Sequence, residues 1–572
     1  EWCTVCGKKK DNGAGDNCVC EKPHLRKIRI FHRQCPHSGK TKDRENLYSQ
    51  GKSLLTCCPN CGARNGSGIE PVHRFQESDD EMGMAMAIPL AHFQVSPIDE
   101  ESKRPRKLLC FTDHRQRAAA FPSLLEEETF SHDMGRKIVE IVSNEDRSLD
   151  LVGLGERLAD IADPQSTNFD PDFFLPVSRY PDEELDAKEK RNLWIAETFA
   201  YFGIPDAARE SAEDLGLVAV EYRLKDTEKA GFRRLLNAPH LTPQETDALL
   251  QVLLGYMRQR KAFTLPKGRV QPDAAAFGRV IGDISYVLRR EGIRNTNGWL
   301  PRINKDNTVT SDNIITDYLR RALTLSRSNA LDVAEKMWGF LTTQSLLIEN
   351  KERWKLDHEL LFIVKPVSRH ICNRCGAVTA YSVNKRCPRK ECEGTLELRP
   401  FRPDQQNIIA RWVSGKDKLR FTTLKSEEHT AQINKDLAKT IEDAFRAEGV
   451  KGVNLLSSTT TFEMGINIGD LQKVLLRNAP PSSASYVQRV GRAGRGKDKN
   501  SVCVTLCRRT KYDADKWNDP ASLMSGEVRT PTVFTQNKVI AQRHFNAVVF
   551  AKFLREKVAD ERALGQVKQL IR

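Results

Sequence analysis

The sequence predicts an α/β fold: a parallel sheet flanked by helices, interrupted by a large, mainly helical insertion and by cysteine-rich metal modules. Three observations carry this. An apolar strand, Leu108 to Phe111, runs through polar residues into the alanine-rich helix start Ala118-Ala119-Ala120, which opens a β-α unit. The same alternation of strand and helix returns only after residue 418. Between the two, leucines such as Leu249, Leu250, Leu253 and Leu254 recur at helical spacing.

Length and composition narrow the class. At 572 residues the chain exceeds one core, and three or four domains are expected. With 39% hydrophobic and 29% charged residues it reads as soluble and globular. A net charge of +14 points to a polyanionic partner. No apolar run is long enough to cross a bilayer and no signal peptide is visible, so no membrane partner is expected. The first residue is Glu1 and a cysteine pair follows at once, which reads as a piece of a longer protein.

Fifteen cysteines without a secretory signal favour metal over disulfides. In the cysteine-rich region 1–75, Cys3-x2-Cys6, Cys18-x-Cys20, Cys35-x-His37 and Cys58-x2-Cys61 form short knuckles. Zinc takes four ligands in a tetrahedron, commonly as two chelating pairs. One arrangement joins Cys3, Cys6, Cys18 and Cys20, leaving Cys35, His37, Cys58 and Cys61. The other joins Cys3 and Cys6 to Cys58 and Cys61. Ser38-Gly39-Lys40-Thr41 is no Walker A loop, because Gln34 stands where its first glycine must be. Ser78-Asp79-Asp80-Glu81 has no apolar strand before it and is no Walker B end.

Residues 76–125 read as a linker and the start of the α/β domain, and 126–330 as the helical insertion. Arg258-Gln259-Arg260-Lys261 within it reads as a solvated face. Residues 331–365 suggest a winged-helix module. Residues 366–400 form the firmest metal site: Cys372-x2-Cys375-Gly376 and Cys387-x4-Cys392 have zinc-ribbon spacing. All four positions are thiols, so the expected zinc is structural, and Arg374, Lys385, Arg386, Arg389 and Lys390 would offset its thiolate charge.

The rest of the α/β domain spans 401–530. Ile433, Leu437, Ile441, Ala444 and Phe445 form one helical stripe ending at Gly449; Val453 to Leu456 is the next strand; Cys503 and Cys507 read as core residues of a strand within 501–508. The closing segment 531–572 holds an amphipathic helix from Arg543 to Arg555. Before it comes Tyr486-Val487-Gln488-Arg489-Val490-Gly491-Arg492-Ala493-Gly494-Arg495. On a continuous helix, Arg492 and Arg495 would share a face and reach one anion together.

That decapeptide resembles motif VI of superfamily 2 helicases. Phe111-Thr112-Asp113-His114-Arg115-Gln116-Arg117-Ala118-Ala119 resembles motif IV, and Ser457 to Leu471, with Thr459-Thr460-Thr461 and Gly465-Ile466-Asn467, resembles motif V. With Glu428-His429-Thr430-Ala431-Gln432, they stand in helicase order. The set resembles the large bacterial cysteine-rich helicases of DNA repair and of antiphage defence, including the DISARM and Druantia systems. The resemblance implies a second RecA-like domain, with ATP and Mg²⁺ shared with a first one upstream. Arg492, Arg495 and Gln488 would reach the phosphates, Gly465, Asn467 and Gly491 would couple to the nucleotide, and Arg115, Thr459 and Thr460 would hold nucleic acid. Asn467 departs from the common Asp, which removes a charge. The implied partners are nucleic acid, chiefly DNA, and other subunits of a defence system in the bacterial cytoplasm. A non-catalytic zinc-bearing scaffold and an RNA helicase are the alternatives.

Overall fold

The computed structural model describes residues 2–3, 25–26, 79–92, 107–145, 147–176, 179–180, 185–203, 211–238, 240–271, 274–280, 286–291, 298–303, 309, 311–351, 353–406, 408–415, 423–430, 432–447, 452–459, 471–494, 500–508, 510–525 and 536–557.

A five-stranded parallel sheet organises both ends of this range. Its strands are β1 (Leu108–Phe111), β2 (Ser426–His429), β3 (Leu455–Ser458), β4 (Lys473–Leu476) and β5 (Val502–Thr505), in the order β2-β3-β1-β4-β5. Leu108 is in register with Leu455 on one side and Lys473 on the other. β1 is central because Leu-Leu-Cys-Phe is apolar on both faces, as a strand covered on both sides requires. Alternation then sorts the core. Leu108 and Cys110 meet Ala87, Ile88, Phe121 and Trp412 on one face. Leu109 and Phe111 meet Ile441, Phe445 and Val490 on the other.

Parallel strands need crossovers, and two are short helices. Lys435–Arg446 links β2 to β3; its N-cap Asn434 accepts from the Leu437 N–H. Ser483–Val490 links β4 to β5, capped by Ser482. The helical stripe of the first differs from expectation: only Ile441 and Phe445 are buried, Leu437 is exposed, and the helix ends at Arg446. β3 starts at Leu455 rather than Val453, and β5 stops at Thr505, so Cys507 lies past it and is half-buried.

The crossover from β1 to β2 holds the insertion. Its first element is a 30-residue helix, Arg115–Asn144, that belongs to both bodies. Phe121 and Leu125 pack on the sheet. Phe130, Met134, Ile138 and Ile141 enter a separate, larger core. That core takes in the helices Leu151–Ala162, Ala187–Gly203, Asp226–Leu236, Pro243–Gln259, Ile314–Ala322 and Arg327–Thr343. It also contains an antiparallel sheet in which Leu361–Val364 lies between Leu149–Asp150 and Ala219–Tyr222. One cluster therefore runs from Phe130 to Val413, across the segment boundaries at 330, 365 and 400. After the helix Arg327–Thr343 comes a hairpin, Leu347–Asn350 with Arg353–Leu356. Arg258 corrects the reading of a solvated face: it is buried, with Nε 3.0 Å from the Tyr222 hydroxyl and Nη2 2.5 Å from Glu213. The helix Lys538–Lys557 is exposed from Lys538 to Phe553, Phe545 and Val548 included, and Leu554 is half-buried.

Candidate nucleotide-coupling site and metal centre

In a parallel α/β sheet, ligands bind where the strands' carboxyl ends open into loops. At this edge three segments distant in sequence are tied by one polar cluster. β1 leads into Thr112-Asp113, and β4 leads into Arg477-Asn478. The Asp113 N–H donates to Asn478 Oδ1 at 3.1 Å, and Asn478 Nδ2 donates back to Asp113 Oδ2. The helix Ser483–Val490 delivers Arg489, whose Nη2 lies 2.5 Å from Asp113 Oδ1. Arg489 is fully buried, and its guanidinium lies 5.5 Å from the centre of the Phe111 ring. A guanidinium out of water needs a carboxylate, and truncating either partner leaves an uncompensated charge. The residues that read as motifs IV and VI are thus joined through Asp113 and Arg489.

The helix ends at Val490, which corrects the reading of Arg492 and Arg495 on one continuous helical face. Gly491 to Gly494 form a turn; Gly494 has φ +71°, where a side chain would be strained, and its N–H donates to Leu471 O at 2.9 Å just before β4. Arg492 lies in this turn and is 5% exposed, whereas Gln488 and Gly491 are exposed. Arg495, Gly465, Asn467 and Thr460 lie outside the described residues. Thr459 is buried at the end of β3, with its carbonyl accepting from Ser458 Oγ at 3.0 Å. Arg115 opens the helix Arg115–Asn144, and its side chain lies outside the described residues. At the same edge His429 Nε2 is 3.2 Å from Glu442 Oε1; burial draws its pKa down against the opposing pull of Glu442.

Sequence reasoning quoted Asp113 and Arg489 but gave them no role, and it missed Asn478. The acid in Phe111-Thr112-Asp113 was the available signal. Nothing local in Arg477-Asn478 announces a partner 365 positions away.

The second centre is the ribbon. The sulfurs of Cys372, Cys375, Cys387 and Cys392 all lie within 4.8 Å of one another. Cys372 to Cys392 is 3.7 Å and Cys375 to Cys387 is 3.5 Å. A tetrahedron with metal–sulfur arms of about 2.3 Å has edges of about 3.8 Å, so the set fits a zinc ion. Gly376, at φ +71°, turns the first knuckle, and the Arg374 N–H is aimed at Cys372 Sγ. Burial pushes the Cys372 thiol up, but hydrogen bonds from the Cys375 and Arg374 backbone bring it to about 7. Burial and the neighbouring thiols push Cys387 and Cys392 up instead. Four crowded thiols cannot all ionise unaided, and a divalent cation removes that conflict. Of the amino-terminal ligand set, Cys3 has only its backbone described, paired with Leu25–Arg26; Cys6, Cys18, Cys20, Cys58 and Cys61 lie outside the described residues.

A parallel sheet with a polar cluster at its carboxyl edge is the arrangement that the resemblance to superfamily 2 helicases leads one to expect. Residues 404–497 match the family model of the helicase conserved C-terminal domain. The Druantia protein DruE of Escherichia coli (strain UMEA 4076-1) is 32% identical over 231 residues, which cover 37% of this chain and 12% of that protein. Crystal structures of the DUF1998 helicase MrfA bound to DNA, and bound to DNA and AMPPNP, are 22% identical and cover 24% of this chain and 17% and 18% of theirs. Their TM-score of 0.19 is too low to bear on the fold.

Proposed function

We propose that this chain supplies the second RecA-like half of an ATP-dependent DNA helicase or translocase, working in bacterial antiphage defence or DNA repair. The observation that carries this is the Asp113–Arg489 ion pair, which locks the motif VI turn to motif IV at the sheet's carboxyl edge. A turn so fixed can present side chains to a nucleotide bound on a facing domain without reorganising as charge shifts.

In this reading Gln488, Arg492 and Arg495 serve the phosphates of ATP, and Gly465, Asn467 and Gly491 transmit its state. Arg115, Thr459 and Thr460 hold the nucleic-acid backbone. Mg²⁺ and the phosphate-binding loop belong to a first RecA-like domain, since this sequence has no Walker A loop; the chain alone is not expected to turn over ATP. Zinc holds the ribbon, and one or two further zinc ions the amino-terminal cysteines. Likeness to a Druantia protein supports further defence subunits as partners and the bacterial cytoplasm as location. Among the described residues, no helix is long and apolar enough to cross a membrane.

A second reading has one observation in its favour. Arg492 is 5% exposed, which suits an arginine that braces the turn better than one reaching across a cleft. Kinetics separate the two. In the protein carrying both RecA-like halves, Arg492→Ala and Arg495→Ala should lower kcat by about 10³ or more while ATP still binds. Lysine should not rescue, because it lacks the planar fork. Near-normal basal turnover in both variants would remove the finger assignment.

A further inference from the structure

The second knuckle of the ribbon carries four cations in six residues: Lys385, Arg386, Arg389 and Lys390. All four are exposed, and no carboxylate among the described residues pairs with them. Elsewhere on the insertion, several surface cations are engaged. Arg233 is paired with Asp247, Arg289 with Glu335, Arg327 with Asp312 and Lys336 with Asp332. Of the acids in the knuckle, Glu393 is taken by Arg374 at 3.3 Å. A divalent metal with four thiolates leaves a charge of −2, which these four cations exceed.

The knuckle is also held rigid. Arg321, on the helix Ile314–Ala322, donates from Nη1 to the carbonyls of Cys387 and Cys392, both at 2.8 Å, and from Nη2 to that of Arg389 at 2.9 Å. Asp317 fixes this guanidinium at 2.7 Å and accepts the Glu391 N–H at 2.9 Å. Asn384 Nδ2 donates to Ala322 O at 2.8 Å. The cations therefore project from a loop bolted to the insertion, and ordering them on a ligand costs side-chain entropy but no loop folding.

We propose that this knuckle is a second nucleic-acid contact, binding the phosphodiester backbone at a place distinct from the sheet edge. It would anchor the strand to the insertion while the RecA-like halves open and close. Phosphate is the class of partner that fits: a repeating anion meets four exposed positive charges on one fixed loop. The inference shares with the helicase reading only the premise that nucleic acid is the partner.

The test is the affinity of the full chain for a labelled single-stranded DNA, measured by anisotropy across a salt series without ATP. Replacing Lys385, Arg386, Arg389 and Lys390 together by Gln should weaken binding at least tenfold at moderate salt. It should also flatten the slope of log affinity against log salt by up to about 3. A control with Arg147, Lys188, Lys190 and Lys267 replaced by Gln removes equal charge from scattered exposed positions and should change affinity less than threefold. Zinc content and thermal melting verify that the ribbon is intact. If the quadruple variant loses metal, Lys385→Gln/Arg386→Gln and Arg389→Gln/Lys390→Gln are read instead, each expected to give about half the change in slope. Equal losses in the knuckle variant and the control, or an unchanged slope in the knuckle variants, overturn the proposal and leave the helicase reading standing. A wild-type chain that binds no DNA overturns both.

Discussion

Buried charge is used differently in the sheet and in the insertion. In the sheet, Lys473 donates to Ala91 O at the carboxyl end of the helix Asp79–His92. Arg477 lies 3.7 Å over the Phe121 ring and donates to Arg117 O at 3.2 Å. Each of these two cations ties one backbone segment to another, whereas Arg489 meets a carboxylate, that of Asp113. In the insertion, buried charges meet opposite charges: Arg179 with Glu197 at 2.6 Å, Lys137 with Asp170 at 2.7 Å, Arg321 with Asp317 at 2.7 Å. The insertion uses charge to close a core around its helices, whereas the sheet uses it to tie flanking helices to its strands. A mutation should therefore cost mainly stability in the insertion and mainly positioning in the sheet.

The largest effect that could break this contrast is at the metal. Cys387→Ser, or a strong chelator, should remove most of the ribbon's folding energy, since structural zinc contributes on the order of 10 kcal/mol. The insertion should then melt earlier while the sheet keeps its own transition. Calorimetry showing both regions melting together at a lowered temperature would mean that the two cores are one cooperative unit.

Next comes Arg258→Met, which strips Glu213 and the Tyr222 hydroxyl of their shared cation. Breaking a buried pair costs about 3 kcal/mol. The same change at Arg477 keeps the apolar stem against Phe121 and should cost about 1–2 kcal/mol. Denaturation midpoints of the two variants sharpen the contrast, and equal losses would erase it.

Asp113→Asn is predicted to cost up to about 3 kcal/mol in stability: Asn still accepts from Arg489 but leaves that buried guanidinium without a compensating charge. Its effect on function should be disproportionate. In the protein with both RecA-like halves, ATP turnover should fall more than tenfold while nucleotide affinity changes little. A fall in turnover no larger than the stability loss explains would put Asp113 with the insertion's structural pairs.

The smallest effect is a pH dependence at the seam. Asp133, on the helix shared by both bodies, receives Thr423 Oγ1 at 3.4 Å just before β2. Burial pushes its pKa up to about 6, against the pull of Arg136 and Lys137. A raised carboxyl pKa means that the folded state favours the protonated form. The stabilisation is complete below about pH 4 and is lost as pH rises through about 6. Asp133→Asn should remove this loss and raise stability by about 2 kcal/mol at pH 7.5 relative to pH 4.5. Parallel stability curves for wild type and variant would show that the seam does not sense the proton.

Much of this was legible in the sequence because it depends on neighbours along the chain. The strand Leu108–Phe111 and the ribbon spacing from Cys372 to Cys392 are local patterns, and each is found where those patterns put it. Strand propensity, hydrophobic periodicity and metal chelation act over short stretches of chain, so composition and spacing suffice to read them. The helix of the motif VI segment was legible too, but not its end at Val490, since Arg492 would be as good a helix former as Arg489. What stops it is the turn at Gly494, pinned to Leu471. Only the tertiary structure decided that Arg489 is the buried partner of Asp113, that Arg258 is interior, and that Leu361–Val364 lies between strands from the insertion's start and middle. An arginine carries the same charge and propensity on a surface or in a core. Whether it is solvated or paired depends on a carboxylate brought close by folding, 376 positions away for Arg489, and no local pattern encodes that distance.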